Sequence, residues 1–338
     1  MVTSYPGHKL RFLVTGGSGF IGSAFVRNLL NNQLQTQPDS LIVLDSLTYA
    51  GNLRNLENVR SDSRLKFIKG DIQDKELVNS LVELSDVVFN FAAETHVDRS
   101  IRDSEAFFKT NVLGTAILAQ ACINSGGKKF IQVSTDEVYG SIKSGSWNEN
   151  SILEPNSPYA GSKAAAEMLL RGLGKTHGLD YRITRCSNNY GNYQHPEKVI
   201  PHFIWKTLNG LDLPVYGDGE NKREWIHVDD HCAAIELVAI NGKSQTIYNI
   251  GGGFELTNIA LAQKIIQISG NSSSRISFVQ DRKNHDYRYS IDDSRIRNEL
   301  GFTQKKNFEI ELKNVFDWYV LNRGWLEEIY SHETSRTS

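Results

Sequence analysis

One twelve-residue stretch, VTGGSGFIGSAF at positions 14–25, restricts this chain more than any other. It follows a short apolar run, LRFLVTG, and opens a helical pattern over residues 20–32. It fits G-x-G-x-x-G through Gly17, Gly19 and Gly22, and the looser G-x-x-G-x-x-G through Gly16, Gly19 and Gly22. Glycines there let the backbone leave a strand sharply and approach a pyrophosphate, whose charge sits at the helix N-terminus. A glycine triplet alone also describes an ordinary tight turn. The strand before it and the helix after it make dinucleotide binding the stronger reading, with Phe20 and Ile21 inside the motif. Asp45 ends the next strand, LIVLD, roughly 20 residues on, where a carboxylate meets ribose hydroxyls and repels a 2′-phosphate. Ser46 and Leu47 follow it rather than arginine, so NAD is expected over NADP. Asp71 and Ile72 in GDIQD are candidates for the adenine end, with a helix cap for residues 74–84 as the alternative. Ala92, closing a fourth strand, joins the cofactor set.

The rest of the first half keeps the same rhythm. LKFIKGD, DVVFNFAA, KFIQVST and DYRITR read as strands, and residues 74–84, 105–124 and 158–177 as helices. Strands alternating with helices predict an α/β fold with a parallel, doubly wound Rossmann sheet. The strands are nearly continuous apolar runs, as when helices cover both faces. Beyond about residue 190 the rhythm breaks at LPVYGDGEN and IGGGFE. The expected organisation is a cofactor domain over 1–190, rejoined by a strand near 246–250. A smaller mixed α/β lobe over 191–330 would bind substrate, and 331–338 would be a frayed tail.

With 338 residues, 22% of them charged and 39% hydrophobic, the chain has the composition of a soluble globular protein. A net charge of −2 gives no electrostatic footprint for nucleic acid or an anionic membrane. No apolar run is expected to approach a membrane span, and MVTSYPGHKLR lacks a signal-peptide core. Cys122, Cys186 and Cys232 form no metal-ligand spacing and read as buried thiols in a reducing cytoplasm; no metal site is expected.

The reactive groups lie in two places. In SPYAGSKAAAEMLL, Tyr159 and Lys163 are four apart and share a helix face. An ammonium near a phenol favours the phenolate, which would make Tyr159 a base. In VSTDEVYG, Asp136 and Glu137 follow a strand that ends at Thr135. Adjacent carboxyls whose surroundings push their pKa values apart can divide proton removal from proton donation. The plainer reading of the pair is a solvated loop in which one acid caps a turn.

TGGSGFIG, STDEVYG and YAGSK together resemble the extended short-chain dehydrogenase/reductases. DSLTYAGNL, AAETHVDRSI, TRCSNNYGNYQHPEKVIP, YGDGENKREWIHVDDH and HDYRYSID narrow the resemblance to the nucleotide-sugar 4,6-dehydratases, over residues 9–320. DSLTYAGNL looks more like the thymidine-nucleotide enzymes than those acting on UDP-glucose. The resemblance implies a small-molecule nucleotide-sugar substrate and bound NAD. Tyr159 would take the proton of the sugar C4 hydroxyl, Lys163 would hold the nicotinamide ribose, and Thr135 would bond the same part of the sugar. Glu137 would remove the C5 proton and Asp136 would protonate the departing C6 hydroxyl. Thr95, His96, Asn188, Glu197, Lys198, Arg223, Asn258 and Arg288 would surround the sugar nucleotide, with Arg223 and Arg288 on the diphosphate and Arg99 beside His96. His227 stands where this family more often has tyrosine, on the expected nucleotide wall. A homodimer paired through 105–124 and 158–177 is also implied. Rival readings are a UDP-sugar 4-epimerase, a UDP-sugar 4,6-dehydratase, a UDP-glucuronate decarboxylase and a non-catalytic NAD-binding sensor.

Overall fold

The computed structural model describes residues 10–271, 273–281 and 285–337. The N-terminal stretch with no expected signal core lies, up to residue 9, outside the described residues, as does Ser338. The first elements are β1 (Arg11–Thr15), α1 (Phe20–Leu30), β2 (Ser40–Asp45), β3 (Leu65–Lys69), α2 (Lys75–Glu83) and β4 (Val87–Asn90). Next come α3 (Val97–Arg102), α4 (Glu105–Phe107), a π-helical stretch (Phe108–Gly114) and α5 (Thr115–Asn124). β5 (Lys129–Thr135), α6 (Pro158–His177) and β6 (Tyr181–Cys186) complete this rhythm. Then follow β7 (Asn188–Tyr190), α7 (Val199–Leu208), β8 (Leu213–Tyr216), β9 (Lys222–His227), α8 (Val228–Asn241) and β10 (Thr246–Ile250). The chain closes with β11 (Phe254–Thr257), α9 (Asn258–Ser269), β12 (Ile276–Val279), α10 (Ser294–Leu300), α11 (Phe308–Leu321) and α12 (Arg323–Thr337).

The large sheet has seven strands in the order β10-β6-β5-β4-β1-β2-β3, all paired in parallel. The chain winds outward from β1 to β3, then crosses back to place β4 on the other side of β1. That reversal opens a crevice at the strand C-termini between β1 and β4, the usual ligand position in such sheets. Leu13, Val14, Leu41 and Leu44 in the central strands are fully buried, each worth about 1.5–3 kcal/mol over an exposed position. α6 has local reasons for its ends: the Ser157 hydroxyl accepts the Ala160 N–H, Pro158 opens the first turn, and Gly178 closes it at φ 70°.

A three-stranded sheet, β11-β9-β7, and a parallel pair, β12-β8, form a smaller assembly around Tyr190, Phe203, Trp225 and Phe308. α12 links this assembly to the glycine-loop side of the large sheet. The Trp325 indole N–H donates to Oδ1 of Asn55 at 3.2 Å, and the Asn55 amide donates to the Ser18 carbonyl at 2.9 Å. Arg54 pairs with Glu328 on the same face.

Two expectations change. The segment Glu105–Asn124, at 20 residues, is long and apolar enough by length and composition to cross a membrane. Phe107, Ile117, Leu118 and Cys122 are nevertheless buried inside the molecule, which is also how the core helix of a globular protein behaves. The stretch expected to fray overlaps the end of α12, which runs to Thr337.

Candidate active site

The glycine loop closes the bottom of the crevice. Gly16 sits at φ 68°, and a Cβ there would lie 2.5 Å from the Ala92 nitrogen; at Gly22 it would lie 2.3 Å from the Gly16 carbonyl oxygen. The loop therefore packs backbone against backbone, which only glycine permits. The Asp45 carboxylate accepts the N–H groups of Ser18 and Leu47, each at 2.8 Å, and burial raises its pKa. Leu47 holds a left-handed φ of 54°. The Ser18 hydroxyl is buried with no partner. A cavity of about 290 Å³ runs from this loop past Asp45, Asp71, Ile72 and Ala92 to Tyr159 and Lys163. Gly19, Phe20 and Ile21 also line it. Asp71 caps only a local turn, accepting the Gln73 N–H; the cap of α2 is Asp74. A tight glycine cradle, an oriented carboxylate and an orphaned hydroxyl fit a dinucleotide.

The reacting groups gather at the other end. Thr135 ends β5 and caps the 3₁₀ turn Asp136–Tyr139, accepting the Glu137 N–H at 3.3 Å. This turn presents the two acids side by side. Asp136 is 3% exposed, and its Oδ2 is buried without a hydrogen bond. Burial raises its pKa well above the ordinary value of 3.8, and the Glu137 and Glu224 charges push the same way. Burial thus favours the protonated form of Asp136, the form that can give a proton. The solvated-loop reading of the pair does not hold for it.

Tyr159 and Lys163 share one face of α6, as the spacing predicts, but their electrostatics differ from expectation. Burial raises the Tyr159 pKa well above 10, Glu137 adds to this, and a hydrogen bond from Thr135 opposes it. The Lys163 ammonium donates instead to the Val133 carbonyl at 2.7 Å. Burial lowers its pKa to about 8, against the Glu167 charge. Shared helix face does not guarantee ionic coupling, because the backbone carbonyl competes for the ammonium.

A second cavity of about 450 Å³ adjoins the first, and both are lined by Thr95, Glu137, Asn188, Glu197 and Lys198. Glu137 thus stands where the two spaces join. His96, Arg99, Arg223 and Asn258 line the second space as well. The Arg223 guanidinium is held by the carbonyls of Lys222 and Asp286 and lies 4.5 Å from the Tyr289 ring centre. Arg288 is not among the residues lining this cleft: its guanidinium is bound to Glu255 and the Gly145 carbonyl. His227 is off the wall too. It caps α8 through the Asp229 N–H and packs edge-on against Tyr190. Three residues escaped the sequence reading. Tyr49 donates to Glu197 at 3.2 Å under the Arg99 guanidinium. Asn111, in the π-helical stretch, bonds Glu94 and Ser162 behind Tyr159. Glu224 acts on Asp136 through charge. DSLTYAGNL held the signal for Tyr49, and YGDGENKREWIHVDDH held it for Glu224; nothing in the sequence marks Asn111. Among the described residues, no group of three or more His, Cys, Asp or Glu side chains is arranged to hold a metal.

A family model described as GDP-mannose 4,6 dehydratase matches residues 13–315. A dTDP-glucose 4,6-dehydratase of Streptomyces niveus is 46% identical over 97% of this chain and 98% of its own. One from Actinoplanes sp. is 49% identical over 94% and 99%. The crystal structure of DesIV, a dTDP-glucose 4,6-dehydratase from Streptomyces venezuelae with NAD and dTDP bound, is 52% identical. It superposes with a TM-score of 0.92 over 95% of this chain and 100% of that one.

Proposed function

We propose that this chain, which belongs to the GDP-mannose 4,6-dehydratase family within the extended short-chain dehydrogenase/reductases, converts dTDP-glucose to dTDP-4-keto-6-deoxyglucose and water. The observation that carries the reading is the buried Asp136 carboxyl, its Oδ2 without a hydrogen bond, beside Glu137 at the junction of the two cavities. An elimination needs one group to give a proton and another to take one. NAD, held along Gly16, Gly19, Gly22, Asp45 and Lys163, supplies the oxidant for C4, the reductant for C6 and a cationic ring that favours ionised Tyr159.

The residues divide the remaining work. Tyr159 accepts the C4 hydroxyl proton, and Thr135 orients that hydroxyl. Oxidation at C4 makes the C5 hydrogen acidic. Glu137 takes that proton, and Asp136 gives its own to the C6 oxygen, which leaves as water. Glu137 then returns a proton to C5 as C6 is reduced. Arg223 faces the diphosphate, Lys198 and Asn188 the nucleotide side of the sugar, and Arg288 positions Glu255 rather than phosphate.

An epimerase needs no acid and base at C5 and C6, and a decarboxylase has no water to expel, so a buried Asp136 paired with Glu137 favours dehydration. A homodimer fits Ile101, Phe108, Leu113 and Met168, which are 47, 46, 48 and 44% exposed on α3, the π-helical stretch and α6. A cytoplasmic setting fits the three buried free cysteines. Incubation with dTDP-glucose and no added reductant tests the function. The expected product has lost one water, with no net reduced cofactor; a C4 epimer of unchanged mass would overturn the reading. UDP-glucose in parallel ranks the bases.

A further inference from the structure

Behind the acid pair lies an ion pair that the reaction does not use. Glu167 and Arg185 join through Nη2 at 2.5 Å and Nε at 3.0 Å, with side chains 0% and 1% exposed. Such a pair is a poor source of stability, because withdrawing both charges from water offsets most of their attraction. Its remaining bonds indicate another use. The Ser134 hydroxyl donates to the Glu167 carboxylate at 2.5 Å. The Arg185 Nη1 donates to the Tyr139 hydroxyl at 2.5 Å, which donates in turn to Asn249 on β10 at 2.8 Å. Ser134 immediately precedes Thr135, and Tyr139 ends the turn that carries Asp136 and Glu137. The reactive turn is therefore fastened at both ends to one buried ion pair. Glu167 also lies four residues beyond Lys163 and eight beyond Tyr159 on α6, so the same helix mounts both halves of the site.

We propose that the Glu167–Arg185 ion pair fixes the placement of Asp136 and Glu137, with Ser134 and Tyr139 as positioning residues. The proposal rests on the dehydratase reading for its kinetic consequence but not for its structural one. Elimination depends on where both acids stand, whereas C4 oxidation depends on Tyr159, held by α6, and on Thr135, held at the end of β5 by its pairing with Cys186 of β6. Loosening the turn therefore slows elimination and spares oxidation.

Ser134→Ala and Tyr139→Phe each remove one fastening and keep the ion pair; Glu167→Gln, which breaks it, risks the fold. The first measurement is amide hydrogen exchange on the full chain without substrate. Exchange across residues 135–140 should rise about tenfold in either variant, with β1 unchanged. The second uses dTDP-glucose: product formation should fall about tenfold, with KM and the rate of cofactor reduction unchanged. Unchanged exchange at 135–140 overturns the proposal, as does an equal fall in oxidation and elimination. If the unaltered protein reduces no cofactor with this substrate, the dehydratase reading fails, and the exchange result alone decides the positioning role.

Discussion

At Tyr159 the phenol is both the group nearest the chemistry and a buried one. Tyr159→Phe removes the proton acceptor and keeps the ring, so turnover should drop by a factor of about 10²–10⁴. The reduced-cofactor absorbance should then never develop after substrate is added. Asp136→Asn and Glu137→Gln should behave in the opposite way: reduced cofactor accumulates while product formation falls by about 10²-fold or more. Full turnover in both carboxamide variants would remove these acids from the mechanism. The identities of all three residues were legible in the sequence, because Y-x-x-x-K and the acid pair are local patterns. Their ionisation was legible only in part. Asp136 is pushed up mainly by burial, and so is Tyr159. Burial depends on what the rest of the chain places around a side chain. The pairing of Arg288 was hidden for a similar reason: its partner, Glu255, lies 33 residues away on β11.

At the scale of elements, the parallel strands and α6 were readable because long apolar runs, a Ser-Pro start and a Gly stop act locally. α3 and the π-helical stretch were not. VDRSIR is too short and polar to show a helical period, and a π-helical stretch differs from α-helix in hydrogen bonding rather than composition. The contact between the glycine loop and α1 belongs to this scale. In Gly22→Ala the new methyl would meet the Gly16 carbonyl at 2.3 Å, a backbone atom that cannot rotate away. The expected cost is about 1–3 kcal/mol of stability, read as a lower urea midpoint. Loss of copurifying cofactor should accompany it. An unchanged midpoint would show that the loop yields more easily than its packing implies.

Over the whole molecule, buried histidines set an acid limit. His231 is fully buried, with Nδ1 2.8 Å from Oδ1 of Asn189, and burial lowers its pKa to about 3. Burial likewise lowers His202 to about 4. Both are held neutral, so their contribution is fully present above the unfolded value of 6.5 and is lost as pH falls through the folded values. Stability should decline by on the order of 1 kcal/mol per pH unit per histidine below that value, and His231→Gln should flatten part of the decline in urea titrations at stepped pH. The crevice was legible at this scale as a consequence of βαβ winding. The junction of two cavities at Glu137 was not, since it depends on how the smaller sheets meet the large one.

The brace from Trp325 to Asn55 joins residues 270 apart in sequence, and Asn55 passes it on to the carbonyl of Ser18. The glycine loop is thus supported by a side chain that the ribosome adds long after it. A nascent chain can wind β1 and α1 early, but its glycine loop gains this support only when α12 has left the exit tunnel.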